Sequence, residues 1–315
     1  MIASLTPLML LVLSGLPAAG HVNEDSDEEK TPTPTPTSTP PMEEIQVTVD
    51  QVSGPVYMLT GRGGNLGLCI GEDGVFMIDD QYAPMTPAIR QAVAQLTDKP
   101  VRFVLNTHWH SDHTGGNENF GELGAVIVTH DNVRVRLSSD QVMPFMEREV
   151  PASPPDALPV VTFNDTVNFH MNGNTIRAFH VAAAHTDGDA IVHFDEANVV
   201  HMGDVFWNRQ YPFIDSHSGG SIRGTVAAVD TVLLSIDDET AVIAGHGPLG
   251  DRAQLVAYRD MLQGIADRIR SLVEAGKTLE ETQAAGPTAD WDAEWGGGFI
   301  KPEAFVRMVY EDLVQ

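Results

Sequence analysis

Three histidines and an aspartate fall within six residues in the stretch THWHSDHTGGN, Thr107 to Asn117. Neutral imidazoles and carboxylates are ligands for divalent cations, and histidines this crowded otherwise repel or sit idle. The cluster therefore reads as metal-binding. It also constrains the fold, because one loop cannot complete a coordination sphere. Ligands from elsewhere in the chain must return to the same place. The apolar run VRFVLNT, Val101 to Thr107, reads as a short strand, so the cluster sits on a strand-to-helix loop. His108 and His110 are two apart, and on extended backbone such side chains point the same way. Asp112 and His113 are adjacent and can face a second position in a tight loop. Gly115 and Gly116 let the backbone turn there and open a helix.

Three further candidates each follow an apolar strand and precede a turn. They are His185 in VAAAHTDGD, Asp204 in VVHMGD and His246 in AVIAGHGP. If these strands share a sheet edge, all the side chains converge. His108, His110 and His185 then make one site, and Asp112, His113 and His246 a second, with Asp204 as the carboxylate bridging them. Asp112 is also the candidate catalytic carboxylate. Two divalent cations about 3.5–4 Å apart hold a hydroxide between them, ready to attack a carbonyl. Metal binding brings the pKa of water from about 15.7 toward about 7, which makes that nucleophile available at neutral pH. His130, His170, His180, His193, His201 and His217 lie within or beside strands and read as structural.

The rest of the pattern says what frame carries these loops. IQVTVDQV and PVYMLTG alternate apolar and polar residues, as strands do. GNLGLCIGEDGVFMIDD gives two apolar runs joined by Gly71-Glu72-Asp73-Gly74, a hairpin signal. PMTPAIRQAVAQL, within residues 84–97, carries Ile89, Val93 and Leu96 at helical spacing. Strand 125–129 and a helix beginning DNVRVR follow. From Val160 to Gly203 come the strands VVTF, TVNFHM, NTIRAFHV, AIVHF and NVVHMGD. Then come a helix in SIRGTVAAVDTVLLSI, the strand TAVIAGHG, the long helix DRAQLVAYRDMLQGIADRIRSLVEAG and a last helix over 302–313. Strands in two groups, each ending in helices, predict an α/β, αββα four-layer sandwich.

The ends and the composition set the context. Residues 1–20 read as a signal peptide, from the apolar Leu5 to Gly20 stretch ending in small residues. After its removal no stable membrane insertion is expected. Residues 21–42 are an acidic, then Thr-Pro-rich linker that cannot bury a core. The folded domain covers 43–315. Localisation is therefore expected to be periplasmic or secreted. The 315 residues are 42% hydrophobic and carry a formal net charge of -26, which excludes nucleic acid as a partner and leaves a small-molecule substrate. The one cysteine, Cys69, excludes both an internal disulfide and a thiolate metal cluster, and its apolar surroundings read as a buried strand.

HWHSDH, followed in order by the His185, Asp204 and His246 elements, resembles the metallo-β-lactamase fold superfamily, from about residue 45 to 315. The resemblance implies the αββα sandwich and a dinuclear hydrolase site, usually zinc. The commonest zinc β-lactamases place cysteine where this chain has Asp204, and often lysine three residues later, where it has Trp207. The export segment and the GNLGLCIGEDGVFMIDDQ opening are similar to periplasmic lactamase-like members, so β-lactamase activity on a cyclic amide, or cleavage of a cyclic ester, is expected. The oxygen ligand at Asp204 resembles broader hydrolases such as the thioester-cleaving glyoxalase II, and leaves iron or manganese chemically open. An iron-dependent redox enzyme on this fold is the alternative from another class.

Pocket walls complete the expectations. TGRGGN, Thr60 to Asn65, is placed as a mobile flap whose Arg62 meets an anionic group. Trp207, Tyr211 and Phe213 are placed along an apolar cleft. Asp79 and Asp80 are expected to hold a ligand imidazole, and Trp109 to pack away from the metals.

Overall fold

The computed structural model describes residues 46–314. The signal peptide expected at 1–20 and the linker at 21–42 lie outside the described residues. In chain order the strands are β1 (Thr48–Ser53), β2 (Val56–Thr60), β3 (Leu66–Gly71), β4 (Gly74–Ile78), β5 (Val101–Leu105), β6 (Val126–His130), β7 (Gln141–Met143), β8 (Arg148–Val150), β9 (Val161–Phe163), β10 (Thr166–Met171), β11 (Asn174–His180), β12 (Ala190–Phe194), β13 (Val199–His201), β14 (Ala241–Ile243) and β15 (Gly250–Asp251). The helices are α1 (Thr86–Leu96), α2 (Ser111–Thr114), α3 (Asn117–Glu122), α4 (Asp131–Leu137), α5 (Ile222–Leu233), α6 (Arg252–Glu274), α7 (Leu279–Ala284), α8 (Asp292–Trp295) and α9 (Pro302–Val314). None of the described helices is long and apolar enough to cross a membrane.

Two sheets carry the fold. The first has the order β1-β2-β3-β4-β5-β6-β9 and the second β10-β11-β12-β13-β14-β15. The β3–β4 hairpin pairs Gly71 with Gly74, so Glu72 and Asp73 form the two-residue turn. From β4 onward the first sheet is parallel through β5, β6 and β9. In the second sheet β13 and β14 are parallel. Each parallel step needs a crossover, and helices supply it.

Alternation along the strands sorts side chains into layers. Phe76, Ile78, Leu105 and Val128 face Ile176, Ala190, Val192 and Val199, forming the core between the sheets. Their neighbours Val75, Met77, Val104 and Ile127 face the other way, onto α1 residues Ile89 and Val93. Ile191, Val200 and Val242 likewise meet residues of α5, α6 and α9, among them Val229, Leu262 and Phe305. Layers therefore run helix, sheet, sheet, helix. Each fully buried Leu, Val, Ile or Phe contributes about 1.5–3 kcal/mol relative to exposure. Cys69 lies in the intersheet core, and burial pushes its thiol up to about 11, so it behaves as a small apolar side chain.

The expected strands and long helices are present, some with the same ends and others shifted by up to four residues. The hairpin β7–β8 and the short helices α7 and α8 carry no sequence expectation. The hairpin is paired only through three short positions, Gln141 with Val150 to Met143 with Arg148. A run that short gives little periodicity to read.

Candidate metal centre

The site forms where β4, β5, β13 and β14 end. Extended backbone at His110 leads into α2, which carries Asp112 and His113. The 3-10 turn Gly203–Val205 after β13 presents Asp204, and His246 follows β14. The loop between β11 and β12 supplies His185. The structure brings all seven expected side chains together. His108, His110, His185 and Asp204 form one group with ligand atoms within 4.8 Å of one another, and Asp112, His113 and His246 form a second. Asp204 joins them. Its Oδ2 lies 3.8 Å from His108 Nε2 and 3.6 Å from His185 Nε2. Its Oδ1 lies 3.1 Å from His113 Nε2 and 3.5 Å from His246 Nε2. Asp112 Oδ2 is 3.3 Å from His246 Nε2.

Hydrogen bonds behind the rings fix which nitrogen faces the centre. His185 Nδ1 donates to the Phe213 carbonyl at 2.7 Å, so its neutral ring turns a lone pair inward at Nε2. His110 Nε2 meets Asp215 Oδ2 at 3.0 Å, which leaves the inward lone pair on Nδ1. These two inward nitrogens are 2.9 Å apart. His113 Nδ1 donates to Asp79 Oδ2 at 2.7 Å. The Thr107 hydroxyl donates to that same oxygen at 2.8 Å, and so accepts from His108 Nδ1 at 3.0 Å. One buried carboxylate, Asp79, thereby orients a ring in each group. His108 Nε2 and Asp204 Oδ1 are buried with no hydrogen-bond partner. Lone pairs converging at such distances call for cations, and a set of N and O donors backed in this way fits divalent metals.

The protonation balance follows from burial and charge. Burial holds His108 well below the usual imidazole range and His185 at about 4, so both are neutral. Burial also opposes charge on His113 and His246, but Asp204 and its neighbouring carboxylates outweigh it. His113 is raised well above its ordinary value, and His246 to about 9. For Asp112, burial acts upward and is overcome by His113 and His246, leaving the carboxyl at about 2. Asp112 and Asp204 are thus held as carboxylates beside the imidazoles.

Glycines set how close the loops approach. A Cβ on Gly64 would lie 2.1 Å from His113 Cε1, and one on Gly245 2.1 Å from Asp204 Oδ1. The 60–65 loop expected as a mobile flap is instead tied down. Gly64 N donates to the Asp112 carbonyl at 3.1 Å and Asn65 N to the Gly245 carbonyl at 2.7 Å. Asn65 Nδ2 also donates to the Ala244 and Gly247 carbonyls, bracing the His246 turn.

Of the expected pocket residues, Arg62, Trp207 and Phe213 line a cavity of about 290 Å³ together with Asp112, Asp204 and His246. Tyr211 does not. It is fully buried, stacks on Phe305 with centroids 4.7 Å apart, and donates its hydroxyl to Asp292 at 2.9 Å. Its loop position suits packing beneath the loop as well as lining the cleft, and the ring takes the first course, toward α9. Asp80 also departs from expectation. Its Oδ1 accepts from Gly116 N at 2.8 Å, so it braces the turn and touches no ligand ring. Trp109 packs in the apolar core as expected. The sequence reading missed Asp215 and Thr107, two small polar residues whose roles exist only once the loops meet.

With this geometry in place, comparison with known proteins decides the family. Residues 59–246 match the family model described as the metallo-beta-lactamase superfamily. The chain belongs to that superfamily. A hydroxyacylglutathione hydrolase of Erythrobacter litoralis is 25% identical over 253 residues, covering 73% of this chain and 90% of that protein. A metallo-beta-lactamase type 2 of Bacillus cereus is 19% identical over 226 residues, covering 69% and 83%. Among solved structures, a metallo-beta-lactamase from Pontibacter korlensis superposes with a TM-score of 0.57 at 20% identity, covering 69% of this chain and 99% of that one. An inverting sec-alkylsulfatase from a Pseudomonas species gives 0.63 at 17% identity, with 85% of this chain and 50% of that one. These superpositions establish the metallo-beta-lactamase fold. As a member of the superfamily, this chain is a metal-dependent hydrolase.

Proposed function

We propose that the chain is a dinuclear hydrolase that opens a cyclic amide or ester at its carbonyl. The observation that carries this reading is the position of Asp204, one oxygen toward each group of histidines. His108, His110 and His185 would hold one cation and Asp112, His113 and His246 the other, with Asp204 shared. Zinc suits this donor set, and iron or manganese are compatible with it. Bound cations would supply an acidified water and polarise the attacked carbonyl.

The chain's own residues supply the rest. Asp112, a partly exposed carboxylate, lies on the cavity wall, where it is within reach of a water or a substrate in the cleft. Asp79, Asp215 and the Phe213 carbonyl keep three rings from rotating. Trp207 and Phe213 present apolar surface that displaces water from a bound substrate.

A thioester is the second reading. The oxygen ligand at Asp204 and the relative named a hydroxyacylglutathione hydrolase support it. Export to the periplasm is part of the proposal, on the strength of the apolar segment Leu5 to Gly20. The test is turnover of a chromogenic cephalosporin, a lactone and an acyl-glutathione thioester by zinc-loaded protein. Hydrolysis of either ring supports the first reading. Thioester cleavage alone replaces it with the second, and no turnover with metal bound overturns both.

A further inference from the structure

The hairpin β7–β8 divides two cavities. Met146 and Arg148 line the cavity that contains Asp112, Asp204 and His246, whereas Phe145 and Glu147 line a neighbouring one. Glu147 closes the 3-10 turn Pro144–Met146 in a left-handed conformation, and the chain enters β8 at Arg148, which puts Arg148 on the metal side and Glu147 on the other. Arg62 reaches the same cavity from the loop between β2 and β3, anchored through Gly64 on the Asp112 backbone. Arg136, Arg177, Arg252, Arg259, Arg268 and Arg270 each meet an aspartate. Arg62 and Arg148, like Arg90, Arg102, Arg134, Arg209, Arg223 and Arg307, meet no carboxylate within 4.0 Å among the described residues, and of these eight Arg62 and Arg148 are the ones that line the metal cavity. Charges farther than about 8 Å are largely screened at physiological salt, so a ligand in the cleft feels these two guanidinium groups more than the distant acidic surface, and the near carboxylates Asp112 and Asp204 are the ones bound cations would neutralise. Trp207, Phe213, Met143, Met146 and Phe299 give the same cavity an apolar lining.

We propose that Arg62 and Arg148 together bind one anionic group of the substrate, so that the cleft selects amphiphilic anions over their neutral counterparts. Guanidinium groups from two elements offer forked donors to one carboxylate or sulfate-type anion. The apolar body then lies against Trp207 and Phe213, with the scissile bond over Asp112 and Asp204. Arg148 is the determinant that no residue of the metal-binding loops supplies. The proposal rests on the hydrolase reading for its substrate, but anion binding is measurable without turnover.

The experiment is isothermal titration of metal-loaded protein with 4-phenylbutanesulfonate and with the neutral methyl 4-phenylbutyl sulfone. Wild type is expected to bind the sulfonate more tightly. R62Q and R148Q should each weaken sulfonate binding about tenfold and leave sulfone binding unchanged. R223Q, on the exposed face of α5, should change neither. Equal affinity for the two probes, no sulfonate binding by wild type, or unaltered sulfonate binding by R148Q overturns the clamp. Discrimination that is lost in R62Q and R148Q supports it, even if no acyl substrate is turned over, a result that would count against the hydrolase reading alone.

Discussion

Asp215 Oδ2 lies 3.0 Å from His110 Nε2, on the far side of the ring from the nitrogen that meets His185. The Asp215 backbone N–H also donates to the His185 carbonyl at 2.9 Å, but it is the carboxylate that decides which His110 nitrogen carries the lone pair. Asp215→Ala is expected to lower metal affinity about 10–100-fold, the usual cost of losing a carboxylate behind a ligand histidine. Asp215→Asn, which keeps an acceptor, should lose less. Competition with a chromophoric chelator measures both. Unchanged affinity in the alanine variant would refute the orienting role.

His113 is held between Asp79 and a glycine. Its Nδ1 is fixed at 2.7 Å from Asp79, and a Cβ on Gly64 would stand 2.1 Å from its Cε1. Neither side can yield without breaking a buried contact, so Gly64→Ala should displace the ring and weaken metal binding on the Asp112–His113–His246 side. Metal titration of this variant should show one affinity reduced and the other retained. Two unaltered affinities would mean that the loop backs away freely.

Tyr211→Phe tests whether that ring belongs to the core. The variant keeps the stack on Phe305 and loses the 2.9 Å hydrogen bond to Asp292. A loss of about 1 kcal/mol of stability is expected, with KM unchanged. A raised KM at unchanged stability would put the ring back in the cleft.

His193, on β12, gives a pH dependence away from the metals. Burial, helped by the charge of Arg177, lowers it from 6.5 to about 4. The unfolded chain then binds the proton more readily than the folded one between those values. Stability is complete above about pH 6.5 and falls as pH drops toward 4, with a slope approaching ~1.4 kcal/mol per pH unit. His193→Gln should flatten that part of the stability profile measured by urea unfolding. An unchanged slope would remove His193 as its source.

The readable parts of the fold are those where local chemistry repeats. Val75 to Ile78 announce a strand because burial on both faces demands continuous apolar residues, and in Val101 to Leu105 only the end nearest the site, Val104 and Leu105, is buried in that way. The HWHSDH cluster is legible for the same reason, since His108, His110, Asp112 and His113 are close in the chain as well as in space. His185, Asp204 and His246 were found through their strand-end context. Asp215 was not, because a lone aspartate in an aromatic loop looks like any turn residue. Tyr211 and Phe213 are two apart in one loop, yet one packs beneath it and the other lines the cleft. Only the path of the loop separates them. The hairpin carrying Arg148 is too short to show a period, and its placement beside the cleft is a tertiary fact.

The central claim is that these seven side chains hold two cations with Asp204 between them. Metal content per chain, measured by mass spectrometry on protein saturated with zinc and freed of excess, tests it most directly. Two ions per chain are expected, with a reduced count in Asp204→Ala. A single ion per chain at saturation, unaffected by loss of Asp204, would contradict it.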